Sequence, residues 1–481
     1  MLHIPVLRGG RPYTSIEKVE VRDHATGDVI ALLSQANSGL IARDLADPDP
    51  ARGPLRAVPA ADLVAITRAA AERFLHGELP LGAATQRPED YVRAISRTTG
   101  LPEVLARRNM LKVHSVMASI DQVLGGLTRG LDLSILDSGY GTQDGRMLCY
   151  LPETRWLGAV LPSNSPGVHS LWVPAIALKT CLALKPGREE PWTPYRVIQS
   201  FIAAGAPPAA FGFYPTSHEG AGEILRRAGR SLLFGDASTA RAWEKDRRIQ
   251  VHGPGYSKIV IAPDAVERWE DHLDVLVSSI SENGGRSCIN ASGIWTTARG
   301  REIADALARR LAPVEPKPPA DPEASLAAFV NPRFAEMMNA VIEEGLRTPG
   351  AEDATAVERR RLGLPEERLV RRHGSTYLLP TIIRCDDPEH PLAGKEFLFP
   401  FAAVVPVKAE DIPDALGPTL ATSVITHDEA LLARITASPR LHRLNLGPLP
   451  TWHVSWDQPH EGNIFDHLYA RRAVQGRLGA A

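Results

Sequence analysis

Apolar and polar positions change rhythm several times along the chain. The N-terminal part reads as short strands and turns, and VEVRDHATGDVIALLS has two strand-like runs around ATGD, a hairpin signal. From Ala60 to about Leu127 the period is helical, with apolar residues at i, i+3, i+4 and i+7 in ADLVAITRAAAERFL and LPEVLARRNMLKVHSVMASIDQVLGGL. Gly139 to Gly145 reads as a loop, and MLCYLPETRWLGAVLP returns to strand. Beyond it the text alternates. WLGAVLP, CLALKPG, AAFGFYP, SLLFGD and IQVHG read as strands; HSLWVPAIALKT, TPYRVIQSFIAAG, GAGEILRRAG and STARAWEKD read as the helices between them. Such alternation with short loops predicts a parallel α/β sheet. A second alternating block runs from Lys258 to about Leu446, with KIVIA, the helix-like DHLDVLVSSIS, GIWTT and YLLPTIIRC. Inside it, APVEPKPPADPEAS is polar and proline-rich and reads as an exposed connection. The final stretch, HVSWDQPHEGNIFDHLYARRAVQ, is aromatic and polar with weak periodicity. No internal repeat is visible.

Composition narrows the class. The 481 residues are 44% hydrophobic and 23% charged with a net charge of −2, ordinary for a globular chain with two or three domains. No basic run or aromatic–basic stripe points to nucleic acid. No apolar stretch approaches membrane-spanning length, and the N-terminus lacks the charged and apolar regions of a signal peptide. Cys149, Cys181, Cys288 and Cys385 are widely spaced and form neither a C-x-x-C pair nor a metal cluster, so free thiols, a reducing cytoplasm and no metal are expected.

The sharpest chemical signal is SENGGRSCINASG, with Cys288 at its centre. Glycines and small polar residues flank the thiol between a helix-like and a strand-like run. A thiol on such a turn can meet a ligand, whereas one inside a periodic apolar face is core. The second signal is LGAVLPSNSPGVHSLWVPAIALKTCLALKPG. It sets Asn164 just after one strand and Lys185 at the end of the next, at the carboxyl edge where open α/β sheets bind ligands.

Together these motifs resemble the aldehyde dehydrogenase superfamily. The likeness covers nearly the whole chain: Pro162-Ser163-Asn164-Ser165-Pro166, Lys185-Pro186, AGAPPAA with Pro207 and Pro208, FGDAST, NGGRSCINASG, STYLLPTIIRC and Glu396-Phe397-Leu398-Phe399-Pro400 occur in the family's order. The resemblance implies a Rossmann-type cofactor domain over 1–255, an α/β catalytic domain carrying the cysteine over 256–450, and a C-terminal oligomerisation tail over 451–481. It also implies a small β oligomerisation element that includes strands around 140–156. Cys288 would attack an aldehyde carbonyl to form a thiohemiacetal, with the Asn164 amide and the Cys288 backbone N–H as oxyanion donors. Hydride loss to the nicotinamide would leave a thioester. Lys185 and Glu396 would hold the two riboses. Ser238, at a helix start, would sit near the pyrophosphate. Pro162, Ser163, Arg188 and Leu398 complete the expected cofactor side.

One departure from the family stands out. Hydrolytic members carry a glutamate in a Glu-Leu-Gly-Gly-Lys segment that activates water. The corresponding stretch here, IQVHGPGYSKIVI, has no carboxylate, and His252 or Pro254 falls at that position depending on the gap. Gly253-Pro254-Gly255 resembles CoA-acylating members. A thiol acceptor ionises near pKa ~8.5 and needs a base less than water does. The expected reaction is therefore aldehyde, coenzyme A and NAD(P)+ to acyl-CoA, or its reverse. Three alternatives stay open: hydrolysis with His252 or Glu282 as base, an inactive scaffold, and a non-covalent dehydrogenase, the last disfavoured because no G-x-G-x-x-G follows a strand. Arg188, three residues after Lys185, favours NADP over NAD, although Glu189 and Glu190 blur this. Substrate-tunnel residues are expected near His169, Trp172, Trp295 and GPLPTWHVSW. A homodimer or homotetramer is expected from the resemblance.

Overall fold

The structure, a computed structural model, describes residues 1–47, 49–459 and 461–476. Residues 460 and 477–481 of the expected tail therefore lie outside the described residues. The fold is α/β, built on two seven-stranded sheets. In the first, Ile249–His252, Arg230–Phe234, Trp156–Val160, Cys181–Lys185 and Phe211–Phe213 are parallel neighbours in that order. Val6–Arg8 and Arg11–Tyr13 extend it antiparallel. The earliest parallel strand, Trp156–Val160, lies in the middle, and later strands run outward from it in both directions. The order therefore reverses between Trp156–Val160 and Arg230–Phe234, and the carboxyl ends of those strands frame a ligand crevice.

The second sheet runs Ala351–Asp353, Thr381–Cys385, Phe401–Pro406, Gly293–Thr296, Lys258–Ile261, Thr419–Ile425 and Leu441–Leu446, parallel except for its first edge strand. Its strands are apolar without alternation because both faces are covered. Val260, Trp295, Val405 and Val424 pack into one core. Ile259, Ile261, Ile294 and Val404 pack into the other. Each sheet is thus fixed by burial, worth about 25 cal/mol per Å² of apolar surface.

The strand expectations for WLGAVLP, CLALKPG, AAFGFYP, SLLFGD, IQVHG, KIVIA and GIWTT hold, as does the early hairpin of Lys18–Arg22 with Val29–Ser34. Four readings change. Gly139–Gly145 is not a plain loop: Tyr140–Gln143 pairs with Arg146–Pro152 around Asp144 and Gly145, both at positive φ, the two-residue turn that an Asp-Gly pair favours. HSLWVPAIALKT is not one helix but a 3₁₀ turn, Pro166–Leu171, and a short helix, Pro174–Ala177, because each proline lacks the N–H a continuing helix needs. YLLPTIIRC splits at Pro380 into Ser375–Leu378, paired with Leu369–Arg372, and Thr381–Cys385. The helical stretch after Ala60 is interrupted by a hairpin of Leu79–Leu81 with Ala84–Gln86, around the Gly82 turn. At the C-terminus, Tyr469–Arg472 pairs with Arg146–Pro152, making a three-stranded sheet with Tyr140–Gln143.

The chain passes directly from His252, at the carboxyl end of the first sheet, to Lys258, at the amino end of the second. The five residues between them cross the junction of the two sheets. Gly255 there lies so close to the neighbouring loop that a Cβ would stand 2.0 Å from the carbonyl oxygen of Cys288. Gly255→Ala is expected to cost about 2 kcal/mol or more of unfolding free energy through overpacking, read as a lowered urea midpoint at unchanged m.

Candidate active site

Cys288 follows a backbone that few sequences can adopt. After helix Leu273–Ser281, residues Asn283, Gly284 and Gly285 all take positive φ, at 54, 65 and 71°. A Cβ on Gly285 would lie 2.3 Å from the carbonyl carbon of Phe399, so this turn and the Glu396–Pro400 segment require glycine where they meet. Asn290 closes the loop. Its Oδ1 accepts from the Ser287 N–H at 2.9 Å and its Nδ2 donates to the carbonyls of Ser279 and Glu282, at 3.1 and 2.9 Å. Cys288 emerges half-buried beside Ile289, Leu420, Ala421 and Trp452. Cys149, Cys181 and Cys385 are buried, and burial pushes the last two up to about 12.

Asn164 reaches this loop. Its Nδ2 donates to the carbonyl oxygen of Arg286 at 2.8 Å, two residues before the thiol. A buried network fastens the two loops: Asn109 Nδ2 donates to Asn283 Oδ1 at 2.6 Å, Asn283 Nδ2 to Ser165 Oγ at 3.0 Å, and Ser165 Oγ to Asn109 Oδ1 at 3.2 Å. Such fully satisfied polar clusters specify one arrangement. Arg286 is structural, since its guanidinium donates to the carbonyls of Thr99 and Ala328 over the Phe329 ring.

The crossing segment brings a second set of groups. Glu396 accepts from the backbone N–H of Gly255 at 3.2 Å and from that of Tyr256. Its carboxylate is thereby engaged by the segment lying on Cys288. Burial pushes it up to about 7, against those two N–H bonds and the charge of Lys258. Lys258 donates to Tyr256 O at 2.7 Å and Thr419 Oγ1 at 3.1 Å, and burial lowers it to about 8. His252 is buried and stacked on Phe234 at 4.4 Å. Glu461, from the C-terminal segment, brings Oε2 to 2.9 Å from His252 Nδ1, a close ion-pair contact not aligned as a hydrogen bond. Glu282 is half-buried, 3.8 Å from Arg108.

The Cys288 thiol is held well above the ordinary thiol range, mainly by burial and then by the charges of Glu461 and Glu396, while Lys112 opposes them. Sequence reasoning missed Lys112, Glu461, Asn109 and Lys258. The signal for two of them was present: Asn109 and Lys112 fall within a helix, Glu103–Ala118, whose buried positions include Asn109, Met110, Val113 and Val116. Two polar side chains on or beside an apolar stripe call for a partner. Glu461 carries no comparable signal, because its neighbours in space come from other elements.

The crevice of the first sheet holds the remaining candidates. Lys185 ends strand Cys181–Lys185, and Leu161 N donates to its carbonyl at 2.9 Å, so Pro162 and Ser163 lie beside it. A Cβ on Gly187 would meet Ser163 Oγ at 2.3 Å. Burial lowers the Lys185 ammonium, and Glu189 is the charge that opposes this. Ser163 Oγ donates to Glu189 Oε2 at 2.7 Å. Arg188 is exposed. Glu190 is instead buried against His169, 2.6 Å away, with Trp172 Nε1 donating to His169 Nδ1. His169, Trp172 and Trp295 are therefore core rather than tunnel, and Trp452 is the aromatic beside the thiol. Ser238 is exposed, and its hydroxyl donates to Asp236, whose carboxylate also accepts from Thr239 N and caps helix Ala237–Trp243. The backbone N–H expected for a pyrophosphate is thus already met by an anion, and Ser238 is turned toward that cap. Leu398 is half-buried within the segment that packs on Gly285. A largely apolar cavity opens between helix Glu103–Ala118 and the C-terminal segment, lined by Lys112, Val116, Leu171, His252, Trp456 and Glu461 among others.

Residues 12–438 match the model of the aldehyde dehydrogenase family. The chain belongs to that family. Aldehyde dehydrogenases are NAD(P)-dependent oxidoreductases acting on aldehydes. No curated protein matches the chain in sequence. Among solved structures it is similar to the NAD-dependent aldehyde dehydrogenase from Sinorhizobium meliloti, at 18% identity over 100% of this chain and 95% of that one, with a TM-score of 0.79. It is also similar to the aldehyde dehydrogenase KauB from Pseudomonas aeruginosa, at 16% identity over 98% and 96%, with a TM-score of 0.78. A third is 3,6-anhydro-L-galactose dehydrogenase, at 13% identity over 98% and 99%, with a TM-score of 0.77. No helix among the described residues is long and apolar enough to cross a membrane.

Two outcomes follow for this aldehyde dehydrogenase. Lys112→Met removes the positive charge that favours the Cys288 thiolate, so alkylation by iodoacetamide at neutral pH should slow severalfold relative to wild type. Glu396 binds its proton more tightly folded than unfolded, so its contribution to stability falls as pH rises from about 4.5 towards about 7. In Glu396→Gln that downward slope should be absent from urea midpoints measured across the interval.

Proposed function

We propose that this aldehyde dehydrogenase is CoA-acylating: an aldehyde is oxidised through Cys288 and the acyl group passes to coenzyme A, or the reverse. One observation carries the reading. The segment lying directly against Cys288, from His252 to Lys258, offers it the backbone of Gly255 and no carboxylate of its own. A hydrolytic member would have its water-activating glutamate there.

Cys288 Sγ attacks the aldehyde carbon, and the charge of Lys112 eases ionisation of the thiol. The oxyanion then takes hydrogen bonds from the second N–H of the Asn164 amide and from the Cys288 N–H. Asn164's bond to the Arg286 carbonyl supports this by holding the amide against the cysteine loop. Pro162, Ser163, Lys185 and Glu189 fit the adenosine side of a dinucleotide, which when bound supplies the hydride acceptor. The capped helix behind Asp236 does not favour a pyrophosphate at Ser238. Glu189 beside Lys185 favours NAD over NADP, since a carboxylate accepts ribose hydroxyls and repels a 2′-phosphate. The apolar cavity suits an aldehyde with an apolar chain. The sheet of Tyr140–Gln143, Arg146–Pro152 and Tyr469–Arg472, with Tyr140 exposed on its edge strand, is the surface we assign to a homodimer or homotetramer.

Purified enzyme, a panel of medium-chain aldehydes and either NAD+ or NADP+ should turn over at least tenfold faster with coenzyme A, yield acyl-CoA, and favour NAD+. Cys288→Ala should abolish both turnover and product. Equal turnover without any thiol, giving a carboxylic acid, would overturn the CoA-acylating reading.

A further inference from the structure

The C-terminal segment closes over the end of the first sheet and carries a carboxylate to His252. Both side chains are nearly inaccessible, 3% exposed for His252 and 13% for Glu461. The segment is held there from several sides. Gln250 Nε2 donates to the Glu461 carbonyl at 2.5 Å. Gly462, at φ 74°, lies so close that a Cβ would stand 2.2 Å from that same nitrogen. Asn463 Nδ2 donates to Leu127 O at 2.8 Å, and Arg230 Nε donates to His467 O at 2.9 Å. Phe234 covers one face of the imidazole. Both His252 nitrogens are buried without a hydrogen-bond partner among the described residues, Nδ1 standing 2.9 Å from Glu461 Oε2 but not aligned with it, and the ring lines the cavity that Lys112 also lines. A pure anchor for the segment would have no use for an unpaired buried nitrogen, which carries a desolvation cost. A carboxylate 2.9 Å from Nδ1 of a ring that lines a cavity sets that imidazole in place as a base.

We propose that Glu461 and His252 form a dyad in which the C-terminal segment supplies, from across the fold, the carboxylate that the His252–Lys258 segment lacks: His252 Nε2 takes the proton of the nucleophile that removes the acyl group from Cys288. This rests on the reading that a thioester forms on Cys288. The nucleophile's S–H bond breaks, its proton goes to Nε2, and its sulfur bonds the acyl carbon. The bond from that carbon to Cys288 Sγ breaks, and Cys288 leaves as thiolate. The imidazolium then returns its proton to the thiolate or to solvent, so nothing is oxidised or reduced. Water as nucleophile balances in the same way through oxygen. The surrounding charges suit the step. Lys112 favours the departing Cys288 thiolate. His467, on the same segment, is pushed down to about 4 by burial and Arg230 and stays neutral.

Glu461→Gln, which keeps shape and loses charge, and His252→Ala are made in the full chain and followed by stopped flow with and without coenzyme A. The NAD(P)H burst should keep an amplitude near one per site. The steady-state rate should fall about 100-fold in His252→Ala and at least tenfold in Glu461→Gln. Intact mass should show acylated Cys288 accumulating, and added imidazole should restore part of the His252→Ala rate. Wild-type steady-state rates in Glu461→Gln overturn the dyad, as does equal loss of burst and turnover in both variants with native circular dichroism. Turnover without coenzyme A that is slowed equally by Glu461→Gln supports the dyad while removing the CoA-acylating reading. Absence of an acyl adduct in His252→Ala incubated with aldehyde and NAD(P)+ overturns both.

Discussion

Everything at this site depends on how closely two backbones approach. The chain leaves one sheet at His252 and enters the other at Lys258, and in between it lies on the carbonyl of Cys288 at Gly255. That contact excludes a side chain at that point of the segment, and it sets the N–H groups of Gly255 and Tyr256 toward Glu396. The Gly284–Gly285 turn makes the matching approach from the other side, against Phe399 and Pro400. Glycine is needed at both junctions because steric exclusion, and no particular chemistry, decides them.

Around this junction the electrostatics follow from burial. Three carboxylates, Glu396, Glu461 and Glu189, and three cations, Lys112, Lys185 and Lys258, stand near the places where reaction and cofactor would meet. Each lysine is lowered and the thiol is raised for the same reason: a partly dry environment disfavours the charged form. Burial holds the thiol above its ordinary range, and neighbouring charges of both signs act on it. Two of those charges, Lys112 and Glu461, come from segments more than a hundred residues away from Cys288.

Much of this was legible in the chain. Unbroken apolar runs identified the parallel strands, because a strand covered on both faces must be apolar throughout. The motifs around Asn164, Lys185, Cys288 and Glu396 pointed to one chemistry because their order and glycine content reflect local backbone demands. The structure departs from the local pattern where a proline or a turn pair overrides hydropathy. Pro166, Pro174 and Pro380 broke elements that hydropathy alone made continuous. The Asp144–Gly145 pair made a hairpin out of an expected loop.

What the sequence determined by itself was the class of most elements and the cysteine loop as a candidate site, since both rest on periodicity and on neighbours within a few residues. Only the tertiary structure decided what faces that cysteine and the candidates around it. It turned Ser238 toward its own helix cap, sent His169 into the core with Glu190, gave Glu189 and not Arg188 to Lys185, and brought Glu461 to His252. Such pairings join residues distant in the chain. Their partners are selected by packing and by the cost of burying charge alone, and neither leaves a periodic trace in the sequence.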